Sequence, residues 1–134
     1  MEMDMGCKIL IGEDDFEDQF ILQEYFQDNG INEVVAFEKN GKKIIEYLER
    51  LKAEEDLPSL IVLDLNMPIL NGTQTLFELK QHSRFNKIPI IIYSTSDNDH
   101  EKRKCLNFGA VEYLVKPISV DEGDRMVKKF LQFI

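Results

Sequence analysis

Apolar residues along this chain fall into two rhythms, short runs and longer stretches at helical spacing, and the two alternate five times. The runs are Lys8 to Gly12, Glu33 to Phe37, Leu60 to Asp64, Ile90 to Tyr93 and Val111 to Val115, and each reads as a strand. Leu60 to Leu63 and Ile90 to Tyr93 have no polar alternation, the mark of strands covered on both faces. Between them the helical spacing predicts a helix from Phe16 to Asn29 with Phe20, Ile21, Tyr25 and Phe26 inward and Gly30 at its end. Asn40-Gly41 turns into a second helix reaching Lys52, with Ile44, Ile45, Leu48 and Leu51 on one face. Ala53 to Ser59 reads as a loop. Asn71 with Gln74 caps a third helix carrying Leu76, Phe77 and Leu79 inward. The segment from Asp97 to Phe108 offers only Cys105, Leu106 and Phe108 as anchors, and Gly109 follows as its C-cap. Ser119 with Glu122 caps a last helix carrying Val120, Met126, Val127, Phe130 and Phe133, although Gly123 near its start costs about 1 kcal/mol. Regular alternation of this kind predicts an α/β protein: a doubly wound, five-stranded parallel sheet with five helices and right-handed crossovers.

Length and charge narrow the picture. A chain of 134 residues is expected to be one domain built on one core. With 25 acidic residues against 16 basic ones, the net charge of -9 argues against direct contact with nucleic acid and suits a metal cation. Cys7 and Cys105 have neither metal-ligand spacing nor the number for a disulfide framework, which favours a reducing compartment, the cytoplasm by default. The acidic Met1 to Met5 stretch is unlike a signal or transit peptide, and nowhere do 18 apolar residues run together, so no membrane partner is expected.

Candidate chemistry collects at strand ends. In a doubly wound sheet, ligands sit at the carboxyl ends of the strands, in the crevice where the strand order reverses, between the first and third strands. Those are the two strands that end in acids, Glu13 with Asp14 and Asp64. Three carboxylates in one dry pocket need a cation, and hard oxygen ligands in small number suit Mg²⁺. Lys116 adds a fixed positive charge from the fifth strand and Ser94 a hydroxyl from the fourth. Each residue alone has a plainer reading: Asp14 or Asp15 as a helix cap, Ser94 as a loop serine, Tyr113 as core, and Asp97 to Lys104 as a solvated helix face.

The segment Ile9-Leu10-Ile11-Gly12-Glu13-Asp14-Asp15, the segment Asp64-Leu65-Asn66-Met67-Pro68 with Asn71-Gly72, Ser94, and Lys116-Pro117 three residues after Tyr113 together resemble the response-regulator receiver domains of two-component signalling, notably the single-domain chemotaxis-type members. The separations agree, 30 residues from Asp64 to Ser94 and 22 from Ser94 to Lys116, whereas Thr95 would be one position out. The departure is an insertion of several residues around Ala53 to Ser59, away from the pocket. This resemblance implies the flavodoxin-like strand order 2-1-3-4-5 and phosphoryl transfer from a phosphohistidine onto Asp64. Asp14, Asp64 and the main-chain carbonyl of Asn66 would hold Mg²⁺ directly, and Glu13 through water. Lys116 would pair with the phosphoryl group, and Ser94 would donate to it and free space for Tyr113 to rotate, with Pro117 a conformational residue beside them. At most, such a chain catalyses its own phosphorylation and dephosphorylation.

The implied partners are a sensor histidine kinase or histidine phosphotransfer protein and an unknown downstream protein, with the chain a monomer or weak dimer. Because the sequence stops after the last helix, residues 1–134 are expected to form a receiver without an output domain. Output would pass through the face of the fourth helix, fifth strand and last helix, where Lys102, Lys104, Glu112, Tyr113 and Lys128 are candidates. Two other readings compete. A haloacid-dehalogenase-type phosphatase needs a second acid two residues after its nucleophile, and here Asn66 stands there. A flavodoxin-like cofactor binder needs a Ser-, Thr- and Gly-rich phosphate loop after strand one, where this chain has three acids.

Overall fold

The computed structural model describes residues 7–134, and the Met1 to Met5 stretch lies outside them. The alternation is realised as β1 (Ile9–Gly12), α1 (Phe16–Asp28), β2 (Val35–Glu38), α2 (Gly41–Arg50), β3 (Leu60–Asp64), α3 (Gly72–Gln81), β4 (Ile90–Ser94), α4 (Asp99–Asn107), β5 (Glu112–Val115) and α5 (Val120–Leu131). The five strands pair in parallel in the order 2-1-3-4-5. Every residue of the central strands β1, β3 and β4 is buried, as their unbroken apolar runs predict.

Because side chains alternate across a strand, each strand feeds two cores. Leu10, Ile61, Leu63, Ile90 and Ile92 pack with Ile44, Leu48, Leu76 and Leu79 on the side of α2 and α3. On the side of α1 and α5, Ile9, Ile11, Val62 and Ile91 pack with Leu22, Phe26, Met126, Val127 and Phe130. Each fully buried aliphatic or aromatic side chain here contributes about 1.5–3 kcal/mol relative to exposure.

Several inward assignments are corrected. In α1 the buried residues are Leu22 and Phe26, while Phe20 is 56% exposed and Ile21 also faces outward. The helix is apolar on more than one side, so spacing alone did not select the face. In α3 the inward row is Gly72, Thr75, Leu76 and Leu79, and Phe77 lies a third of a turn away at 48% exposure, its ring 5.5 Å from that of Phe108. Val120, at the first turn of α5, is exposed, and Leu106 and Phe108 are partly exposed, so Cys105 alone is buried on α4. The Ala53 to Ser59 loop contains a 3₁₀ turn, Glu54–Asp56, and another, Asn32–Val34, delays the start of β2.

Caps and close contacts explain the helix ends. Asn71 and Gln74 form the reciprocal capping box. Ser119 accepts from the Glu122 amide as expected, but the Glu122 carboxylate reaches back one residue further, to the amide of Ile118. Gly109 ends α4 at φ 111, a left-handed conformation that side chains disfavour. Gly123, a liability by helix propensity, is where α5 meets α1: a Cβ there would lie 2.3 Å from the Tyr25 ring. Among the described residues no helix is long and apolar enough to cross a membrane, and Cys7 and Cys105 are free thiols.

Candidate functional site

Register brings the acids together. Gly12 of β1 pairs with Leu63 of β3, so the next residues, Glu13 just past β1 and Asp64 at the end of β3, lie side by side at the carboxyl edge of the sheet. Asp15 caps α1, accepting from the amides of Glu17 at 2.8 Å and Asp18 at 3.1 Å, and this leaves Asp14 to the pocket. Carboxylate oxygens of Glu13, Asp14 and Asp64 lie within 4.8 Å of one another, a set of hard donors that fits a divalent cation such as Mg²⁺ or Mn²⁺. Two of the three acids are buried and Asp14 is exposed, so the set opens to solvent on one side.

Lys116 closes the other side. Its amide donates to the Ser94 carbonyl at 2.7 Å, which extends the pairing of β5 with β4 and aims the side chain across the pocket. Its ammonium donates to Glu13 Oε1 at 3.0 Å, Asp18 Oδ2 at 2.7 Å and Asp64 Oδ2 at 2.9 Å, and lies 4.9 Å from the centre of the Tyr93 ring. Burial opposes the charge on Lys116, but the bonds to Asp18, Asp64 and Glu13 outweigh it and raise its pKa above that of an ordinary lysine. Glu13 is pushed up to about 7, chiefly by burial, against the lowering effect of its bond from Tyr93. The Tyr93 hydroxyl donates a short hydrogen bond to Glu13, and burial with the nearby Glu13 carboxylate holds its own pKa above the usual range. Among the described residues no buried side-chain polar atom lacks a partner.

The remaining candidates lie around this centre. The Asn66 amide donates to Asp64 Oδ1 at 3.1 Å, which orients the carboxylate. Ser94 is buried, and its hydroxyl accepts from the Ser96 amide at 3.1 Å, while the Tyr113 hydroxyl donates to the Ser96 carbonyl at 2.8 Å. Ser94 and Tyr113 are therefore linked through the backbone of Ser96, with the Tyr113 ring buried. Pro117 is half-buried beside Lys116, and Thr95 faces outward.

Four contributors escaped the sequence reading: Asp18, Tyr93, Ser96 and Gln19, whose side chain donates to the Glu13 carbonyl at 2.6 Å. Asp18 lies in the first turn of α1, just past the acids that end β1. Tyr93 ends an apolar run, yet a tyrosine in a buried aliphatic strand needs a partner for its hydroxyl, and here that partner is Glu13.

Comparison with known proteins shows the family and the fold. Residues 9–128 match the response regulator receiver domain. The response regulator Rcp1 of Synechocystis is 28% identical, over 93% of this chain and 86% of that protein. The alkaline phosphatase synthesis transcriptional regulatory protein PhoP of Bacillus subtilis is 30% identical over 96% of this chain, which spans only 50% of that protein. The crystal structure of Mn²⁺-bound Rcp1 superposes with a TM-score of 0.76 at 27% identity, covering 93% of this chain and 91% of that one. The phosphorylated cyanobacterial phytochrome response regulator RcpA gives 0.80 at 27% identity, covering 96% and 93%. Binding of a divalent metal is typical of such domains. With the fold, the acid pocket and a match over most of its length in agreement, this chain belongs to the response regulator receiver domain family.

Proposed function

We propose that this chain is a phosphorylation switch in which Asp64 accepts a phosphoryl group from the phosphohistidine of a sensor histidine kinase or a histidine phosphotransfer protein. The observation that carries the reading is the pocket itself: a nearly buried Asp64 with Lys116 2.9 Å from Oδ2 and two more acids close by. Transfer of this kind depends on positioning and charge neutralisation. Mg²⁺, held by Asp14, Asp64 and the Asn66 carbonyl, with Glu13 acting through water, would supply neutralisation of the phosphoryl oxygens. Asp64 is the nucleophile, oriented by the Asn66 amide, and Lys116 keeps a charge-assisted donor beside the position the phosphoryl group takes.

Ser94 then exchanges partners. As its hydroxyl turns to donate to a phosphoryl oxygen, the Ser96 amide it accepted from is released, and the Tyr113 bond to the Ser96 carbonyl is disturbed with it. The surface of α4, β5 and α5 carries the change to a downstream protein. Around the pocket, exposed Phe16, Phe20, Ile118 and Val120 offer an apolar rim for the phosphodonor protein. We further propose that residues 1–134 act as a receiver unit in the cytoplasm and control their partner without touching nucleic acid.

The test is intact-mass spectrometry after incubation with acetyl phosphate and Mg²⁺. One base-labile phosphoryl adduct per chain is expected, absent in Asp64→Asn. An undiminished adduct in that variant overturns the assignment.

A further inference from the structure

Lys116 has three N–H donors and all three are taken, by Glu13 at 3.0 Å, Asp18 at 2.7 Å and Asp64 at 2.9 Å. A phosphoryl oxygen arriving beside Asp64 therefore meets a saturated ammonium. The three partners are not equally able to yield. Glu13 is fully buried and also receives the Tyr93 hydroxyl, and Asp64 is itself the group to be modified. Asp18 differs: its side chain is 34% exposed, so water can replace the ammonium, and its carboxylate meets the pocket by its hydrogen bond to Lys116. Burial works against the charge of Lys116, and Asp18 leads the partners that offset it.

We propose that Asp18 is a positioning residue that competes with the phosphoryl group for Lys116, holding the ammonium in the unmodified protein and yielding it when Asp64 is phosphorylated. The competition has two parts of the same sign. Part of the ion pair must be given up, and a carboxylate left near a phosphoryl dianion repels it. Asp18 therefore biases the domain toward its unmodified state, and replacing it should favour the modified one. The change is local, since Asp18 occupies the first turn of α1 and its own amide is already held by Asp15 at 3.1 Å.

This inference rests on Asp64 being the phosphoacceptor, and the test separates the two. Binding of beryllofluoride with Mg²⁺, followed by ¹⁹F NMR, is measured in wild type, Asp18→Asn, Asp18→Ser, Asp18→Glu and Glu17→Gln. Glu17→Gln removes the same charge from the same helical turn. Asp18→Asn and Asp18→Ser are expected to bind about two- to fivefold more tightly than wild type, the range of a partly exposed ion pair. Asp18→Glu should return toward wild type because it restores the carboxylate, and screening should leave Glu17→Gln within about 1.5-fold. If the neutral Asp18 variants gain no more than Glu17→Gln, or bind more weakly than wild type, competition for Lys116 is wrong while Asp64 stands. If no folded form, wild type included, binds beryllofluoride, the acceptor assignment falls and the competition with it.

Discussion

Helices α4 and α5 flank the same strand, β5, yet they are held very differently. Along its length α5 buries Gly123, Met126, Val127 and Phe130, and Gly123 lets it close onto the Tyr25 ring of α1. In α4 only Cys105 is buried, and the first turns, from Asp99 to Lys104, carry no apolar side chain. Helix propensity and capping are comparable, with Asn98 capping α4 and Ser119 capping α5. What separates them is apolar area, the main source of helix stability in a folded domain. A helix that gives up little burial on moving can answer a change at the end of β4, whereas α5 is held against α1 on the opposite face of the sheet.

The largest test of this contrast is by truncation. Phe130→Ala is expected to cost about 3–5 kcal/mol, since the ring is fully buried and leaves a cavity. Cys105→Ala should cost about 1 kcal/mol, because one sulfur is removed from the single anchor of α4. Urea denaturation of both variants measures the difference, and equal losses would show that α4 is as firmly held as α5.

A smaller effect concerns coupling. With Mg²⁺ and beryllofluoride, amide shifts along α4 and at Tyr113 should be large in wild type, those in the middle of α5 small, and the former much reduced in Ser94→Ala. Equal α4 shifts in both proteins would remove Ser94 from the path between pocket and helix.

The pH dependence sharpens the comparison because it arises at the pocket and not on α4. Glu13 has a folded pKa of about 7 against an ordinary 4.5, so between those values the folded, metal-free chain binds more protons than the unfolded one. Its contribution to stability is therefore fully present below about 4.5 and lost as pH rises through about 7. Urea midpoints of metal-free protein should fall from pH 5 to pH 7.5, with a shallower fall in Glu13→Gln. Mg²⁺, which favours the charged carboxylate, should reduce the slope. A slope unchanged by Glu13→Gln would assign it to other acids.

How much of this was legible in advance follows from the range of each interaction. Alternation of aliphatic runs with helical spacing is local, and it determined the strands, the helices, their order and the acids at the ends of β1 and β3. The separations from Asp64 to Ser94 and from Ser94 to Lys116 carried the candidate chemistry through their resemblance to receiver domains, and the strand order 2-1-3-4-5 is what makes the ends of β3, β4 and β5 neighbours. Local pattern was weakest where it was ambiguous: α1 has apolar residues on several sides, and only the sheet chose Leu22 and Phe26 over Phe20 and Ile21. Propensity counted Gly123 as a defect, and only the approach of Tyr25 made it a requirement. Tyr93 and Glu13 are 80 residues apart and Lys116 and Asp18 are 98 apart, so neither pair leaves a mark on any short window of sequence. Tertiary structure decided those pairings because hydrogen bonds and ion pairs act over a few ångströms in space, and only the closed sheet brings such distant residues within that reach.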